Sequence, residues 1–204
     1  MGFMTAPSGG EFTPYVSFNA KAGRWYTKLV DDKDAEIEEV GNMLAVFDFA
    51  DLKTGWFRFA ANQAPEKTFD TSLTEPVPSP GDGFKRGFQL NLFSEKNLGG
   101  VREFSSTAGV AIEAMNSLYD AVIAAPEHKA GQLPVVKCEK VNPIVGSHGT
   151  NYQPVLTVQK WVDRPAELDG AANQNSAAKP EPAKATGTDG AAHQPPPASD
   201  DDEF

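Results

Sequence analysis

FKRGFQLNLF, residues Phe84 to Phe93, alternates more cleanly than any other stretch of this chain. Successive side chains of an extended backbone point to opposite sides, so it reads as a strand. Phe88, Leu90 and Leu92 fall on one face; Lys85, Gln89, Asn91 and Phe93 fall on the other, which reads as a polar outer face. Downstream, Asn97–Gly100 reads as a turn, and the one strong helix follows. Ser105, Ser106 and Thr107 offer N-cap side chains. Val110, Ala114, Leu118 and Val122 recur at helical spacing, with Ala111, Met115, Tyr119 and Ile123 beside them. Pro126 ends the helix and disfavours it already at Ala125.

The remaining segments fall outward from this pair. Phe12–Phe18 reads as a short strand. Arg24–Val30 (RWYTKLV) reads as another, with Trp25, Thr27 and Leu29 opposite Arg24, Tyr26 and Lys28. Asp31–Glu39 (DDKDAEIEE) holds six acids and one lysine and reads as a solvated loop or hairpin tip. Met43–Phe49 is strand-like, Asp51–Gly55 contains a turn, and Trp56–Ala61 is extended. Thr68–Asp82 carries Pro76, Pro78 and Pro80, which exclude helix and central strand, so it reads as a long loop. Leu133–Val141 and Val155–Val162 read as strands, with Val145–Tyr152 the loop between them. The expected class is mainly β with one helix. A helix between the third and fourth of five main strands is the order of an OB-fold-like five-stranded barrel.

Composition divides the chain further. Gly170–Phe204 has no Val, Ile, Leu, Met, Trp or Tyr, and its single Phe is the last residue. Such a segment buries too little apolar surface to offset its ordering entropy, so 170–204 reads as a disordered tail. Residues 1–11 read as a flexible arm and 12–169 as the domain. No apolar run reaches the ~18 residues of a membrane span. The start lacks the apolar core of a secretory signal, and the single Cys138 excludes internal disulfides, so the expected location is the cytoplasm. The formal net charge of −10 weighs modestly against nucleic acid, although the local potential of a groove matters more than the total.

Catalytic signatures are absent. The sequence contains no phosphate-binding glycine loop, no dinucleotide fingerprint, no zinc-protease helix motif and no nucleophile elbow. His128, His148 and His193 lie far apart, and the acidic run lacks the ligand spacing and central glycine of a calcium loop. We therefore expect no enzyme, no cofactor and no metal site. The chemistry that is present consists of aromatics interleaved with cations on strands. Tyr26 sits between Arg24 and Lys28, close to Lys21. Trp56 and Arg58 share a face near Lys53, opposite Phe57 and Phe59, which read as core. Lys85 and Arg86 open the alternating strand. Trp161 shares a face with Thr157 and Gln159, away from Leu156, Val158 and Val162. Aromatic rings stack on the π-face of any base, and cations track phosphates, so this is the equipment of a single-strand binder.

The tail ends in Asp200-Asp201-Asp202-Glu203-Phe204. That tip offers one hydrophobic anchor, a terminal carboxylate and flanking acids for a basic pocket. A disordered linker with an acidic, Phe-terminated tip resembles the tails of bacterial and phage single-stranded DNA-binding proteins. Within 12–168, the segments KTGWFRF, KRGFQLNLF, REFSSTAG and QKWVDRP are similar to the divergent phage members of that class. One departure is the missing Pro before the final Phe, which bears on the pocket the tip fits. The resemblance implies sequence-independent binding and protection of single-stranded DNA. It also implies recruitment of replication, recombination or repair proteins by the tip, in a bacterial host cytoplasm if the chain is phage-encoded. The competing expectation is a phage accessory or structural module whose aromatic face is a subunit interface, giving a homo-oligomer.

Overall fold

The computed structural model describes residues 13–28, 37–60, 65–147 and 149–169. Ten strands run in chain order: β1 (Tyr15–Asn19), β2 (Arg24–Lys28), β3 (Ile37–Glu39), β4 (Leu44–Phe47), β5 (Lys53–Arg58), β6 (Glu66–Phe69), β7 (Lys85–Ser94), β8 (Gly100–Ser106), β9 (Leu133–Gly146) and β10 (Gly149–Val162). Between β8 and β9 lie the long helix α2 (Gly109–Ala124) and the short α3 (Pro126–Lys129); α1 (Glu95–Leu98) is a single turn before β8.

The chain is mainly β, as its alternating stretches imply, but the sheet is not a five-stranded barrel. All ten strands join one open, mixed sheet in the order β10-β9-β4-β7-β8-β1-β2-β3, with β5 and β6 branching from β7. The β1–β8 pair is parallel and every other pair is antiparallel. The sheet curls until Tyr152 donates its N–H to Ala20 O at 2.7 Å, without forming a ladder between those strands.

β7 organises the middle of the sheet. Its first half pairs with β5 and its second half with β4, on one edge; β8 takes the other edge. β4 and β5 therefore lie end to end, separated by a 3-10 turn at Phe49–Asp51, where Asp48 N bonds Asn91 O at 3.0 Å. The bend sits at 49–51, and Lys53–Gly55, expected as a turn, are strand.

The inner face holds the core. Trp25 lies 5.0 Å from the ring of Phe18 and 5.0 Å from that of Phe104, and Phe104 meets Phe88 edge-on. Leu90, Leu92 and Phe47 are fully buried beside them, and α2 closes the layer with Ala111, Ala114, Met115, Leu118 and Val122. The helix starts later than expected. Ser105 and Ser106 belong to β8, and Ala108 occupies the cap position, its N–H donating to Ser106 Oγ at 3.2 Å.

β8 carried no strand signal because two of its inward or covered positions are charged. Arg102 and Glu103 are both buried. Glu103 is paired with Lys67 at 2.5 Å, and Arg102 donates to the carbonyls of Val101 and Gly99. The 145–152 region expected as a loop instead extends β9 and β10 into a hairpin of 14 residues per strand; His148 lies outside the described residues. β6 (Glu66–Phe69) takes Thr68 and Phe69 out of the expected 68–82 loop, and Ile37–Glu39 of the expected acidic loop form β3. The proposed arm 1–11 and tail 170–204 lie outside the described residues.

Among the described residues the outer face is covered at one end only. Val46, Leu133 and Val135 form a second apolar cluster there, sealed by the fully buried Leu168. The covering segment is clasped by Arg164, whose two terminal nitrogens each lie 2.7 Å from a carboxylate oxygen of Asp48, a residue with no exposure at all. That pairing, reinforced by Asp169, holds the Arg164 guanidinium above its ordinary pKa. Removing one partner of a buried pair leaves the other charge uncompensated. Arg164→Ala is expected to destabilise the fold by about 3 kcal/mol in chemical denaturation.

Candidate nucleic-acid interface

Pairing register decides which of the anticipated residues share a face, because residues directly opposite in adjacent strands point the same way. The chain of partners Lys53↔Gln89↔Ser105 and Asn91↔Glu103↔Tyr15↔Lys28 marks the outer face. By alternation it also takes Lys85, Tyr26 and Arg24. The register thus brings Arg24, Tyr26, Lys28, Lys53 and Lys85 together on the uncovered part of the outer face. From β5 across to β2 is four strand spacings, or about 19 Å.

Trp56, Arg58 and Arg86 lie on the opposite side. Trp56 pairs with Arg86, which alternates with the core residues Phe88, Leu90 and Leu92. They form a clasp beyond the end of the core. Arg86 forks onto both oxygens of Asp70 at 2.7 and 2.5 Å and stands 5.4 Å from the Trp56 ring centroid. Asp70 also accepts from Thr54 Oγ1 at 2.5 Å and from Val77 N at 3.0 Å, while Trp56 Nε1 donates to Val77 O at 2.9 Å. Both backbone polar groups of Val77 are held in this way, so the proline-rich loop is pinned at its centre. Trp56 is half-buried rather than free on an exposed face. Arg58 donates twice to Glu66 and stands 5.0 Å from the Phe84 ring.

Trp161 is displaced by a bulge. Val158 pairs with Val136 and Lys160 with Val135, leaving Gln159 as the extra residue. An extra residue resets the alternation. Trp161 therefore packs with Leu156 and Val158 against the main core, not away from them. Lys21 sits on the β1–β2 turn, where Asn19 Oδ1 accepts its backbone N–H at 2.9 Å. Asp200, Asp201, Asp202, Glu203 and Phe204 lie outside the described residues.

The outer face carries aromatics that sequence alternation assigned to the core. Phe57 is buried, but on this face, under Phe59 and Phe69. Phe59 stacks on it with centroids 6.2 Å apart, and Phe69 meets it edge-on at 5.8 Å. Phe59 itself is 51% exposed. Two glycines make this packing possible. Gly55 and Gly87 face each other in register, and a Cβ on Gly87 would lie 2.9 Å from the Phe57 ring and 2.5 Å from Ser106 O. Phe59 lies just past the end of β5, where lateral cover runs out, and the expected extended run 56–61 gave no sign of that end.

Charge on this face is largely balanced. Arg24 pairs with Glu39 at 2.8 Å and Lys53 with Asp51 at 3.0 Å. Lys53 also stands 5.8 Å from the Phe69 centroid. Burial pushes the Asp51 carboxyl above its ordinary value, and Lys53 opposes that shift. Asp51 in turn accepts from Asn91 Nδ2 at 2.8 Å. Lys85 is exposed and has no ion-pair partner among the described residues. A separate cleft of about 220 Å³ opens between the β1–β2 turn and β9, lined by Trp25, Met43 and Cys138 among others. Burial raises the Cys138 thiol above its usual pKa, with the Trp25 indole opposing more weakly. Among the described residues no cluster of three or more His, Cys, Asp or Glu could hold a metal ion, and no helix is long and apolar enough to cross a membrane.

The Asp70 clasp yields a pH signature. The Arg86 guanidinium holds the Asp70 carboxyl well below the ordinary carboxylate range, with Thr54 and Val77 assisting. A depressed folded-state pKa adds stability above the unfolded value and loses it as pH falls toward the folded one. Asp70→Asn is expected to cost about 2 kcal/mol at neutral pH, less than a fully buried pair because Arg86 reaches solvent. The gap from wild type in denaturation midpoint should narrow as pH drops below about 4. A gap unchanged with pH would sink this account of the clasp. In comparisons with known proteins, no family model, no curated protein and no solved structure matches this chain.

Proposed function

We propose that this protein binds single-stranded DNA largely without sequence preference, along the uncovered outer face of its sheet. The observation that carries the reading is the register itself. It gathers Arg24, Tyr26, Lys28, Lys53 and Lys85 on one face, beside the exposed Phe59 and the partly exposed Phe69. Bases stack on the aromatic rings, and phosphates take the lysines. The Arg24–Glu39 pair is a surface pair of small net worth, so a phosphate can replace its carboxylate at little cost; at Lys53 a phosphate competes with the mostly buried Asp51 at a higher cost.

The connectivity supports the same reading. The bent β4–β5 edge, β7 and β8, then α2, then β9 and β10 follow the order of an OB-like core, whose second and third strands face nucleic acid. β1–β3 then extend that core. Trp56, Arg58 and Arg86 act in this reading as supports of the proline-rich loop, and Trp161 as core. The acidic tip Asp200–Phe204 recruits replication, recombination or repair proteins, in the cytoplasm of the cell where the strand is exposed. The second reading is a subunit interface on the same face. It is favoured by Ile37, 59% exposed, which lies opposite Lys28 in register.

Titration of intrinsic fluorescence and of a labelled single strand, at low and high salt and against duplex, separates the two. Saturable binding that weakens with salt and favours the single strand supports the first. Phe59→Ala is expected to weaken it by about 1–3 kcal/mol, while thermal stability falls only modestly, because Phe59 is itself half exposed and Phe69 still covers Phe57. A self-association that tracks Phe59 and Ile37, with no strand binding at low salt, would establish the interface instead.

A further inference from the structure

We propose that Gln89 is a base-reading residue, giving the outer face a preference for bases that carry an exocyclic amino group. This rests on the single-strand reading of that face and deepens it. Gln89 is 98% buried at the centre of the face by its 2% exposure, yet its Oε1 has no hydrogen-bond donor. A buried acceptor without a partner costs about 1–3 kcal/mol, so natural folds rarely keep one without use. Its neighbour two residues on, Asn91, has a partner by comparison, its Nδ2 donating to Asp51.

The surroundings suit a base. Lys53 sits directly opposite Gln89 on β5, and Ser105 directly opposite on β8. Phe69 lies beside Lys53, within 5.8 Å of its ammonium. Lys53 is held in place by Asp51 at 3.0 Å, a partly exposed contact. A phosphate competes for that ammonium. As Lys53 turns outward to the backbone of a bound strand, the carboxamide it flanks opens to the base next to that phosphate. Cytosine and adenine each present an amino N–H donor, whereas thymine presents a carbonyl oxygen at the corresponding position. Stacking also differs between bases, and thymine keeps an N3–H donor, so the hydrogen bond is read from the part of the cytosine preference that a Gln89 variant removes.

The test is anisotropy titration of the full chain with labelled homopolymers of deoxycytidine and thymidine, each about 12 nucleotides long, at slightly alkaline pH. Wild type is expected to bind deoxycytidine about fivefold more tightly, the worth of one neutral hydrogen bond. Gln89→Met, close in shape and without an acceptor, should remove that preference and leave thymidine binding unchanged. Gln89→Asn, which withdraws the amide by one methylene, should shrink it and serves if the methionine variant folds poorly. Equal affinities in wild type, or a loss shared by both strands in either variant, would overturn the proposal and leave the single-strand reading standing. No binding of either strand by wild type would overturn both.

Discussion

The arrangement of the molecule depends on β7 being bordered by strands on both edges and buried along most of its length. Its ten residues pair with β4 and β5 on one side and β8 on the other, so no strand in the centre of the sheet can shift register without moving its neighbours. A one-residue slip would exchange Phe88, Leu90 and Leu92 with Gln89 and Asn91. The apolar set would face the polar stripe, and the polar set would enter the core. β4 and β5 share one edge of β7 end to end across the bend, and β4 gives its other edge to β9.

Polar side chains then settle what the outer face looks like. At one end Asp48 and Arg164 hold a covering segment over an apolar cluster. At the other end no segment crosses among the described residues; Asp51 is met by Lys53 and the Asn91 amide, and Glu103 by Lys67. The aromatic patch of Phe57, Phe59 and Phe69 grows where Gly55 and Gly87 remove the side chains that would otherwise fill the space. The same face therefore presents rings, balanced cations and one unmet acceptor, a combination of sheet geometry and charge that suits a flexible, charged, π-rich ligand.

Cations that look alike in sequence do different work. Arg86 is neighbour to Lys85, but the two point to opposite sides of β7. Arg86 binds Asp70 and braces the loop through Trp56 and Val77, whereas Lys85 stays exposed. Arg58 is bound to Glu66, two positions beyond Trp56 on the same side. Pinning a loop of three alternate prolines needs little of the loop itself, since proline has already restricted the backbone. One residue, Val77, tethered at both its N–H and its C=O is sufficient.

Local signals made the β class, the strand at Phe84–Phe93, the inner face of β7 and the helix positions Ala114, Leu118 and Val122 legible in the sequence, although the buried stripe runs through Ala111 rather than Val110. Each of these is set by short-range alternation or helical spacing of apolar residues, and burial simply follows that spacing. What alternation could not reveal was any place where partners distant in sequence compensate a charge or insert a residue. β8 was invisible because Arg102 and Glu103 are buried only by virtue of Gly99, Val101 and Lys67. Trp161 was turned inward by the unpaired Gln159 two residues before it in the β9–β10 ladder, and Trp56 was claimed by Val77, which lies twenty-one residues away in the chain. The sequence by itself determined which stretches are extended or helical and which chemistry they carry, because those follow from neighbours along the chain. Only the tertiary structure decided which of those side chains share a face and which are already bound, because register, bulges and long-range ion pairs are properties of strands meeting in space.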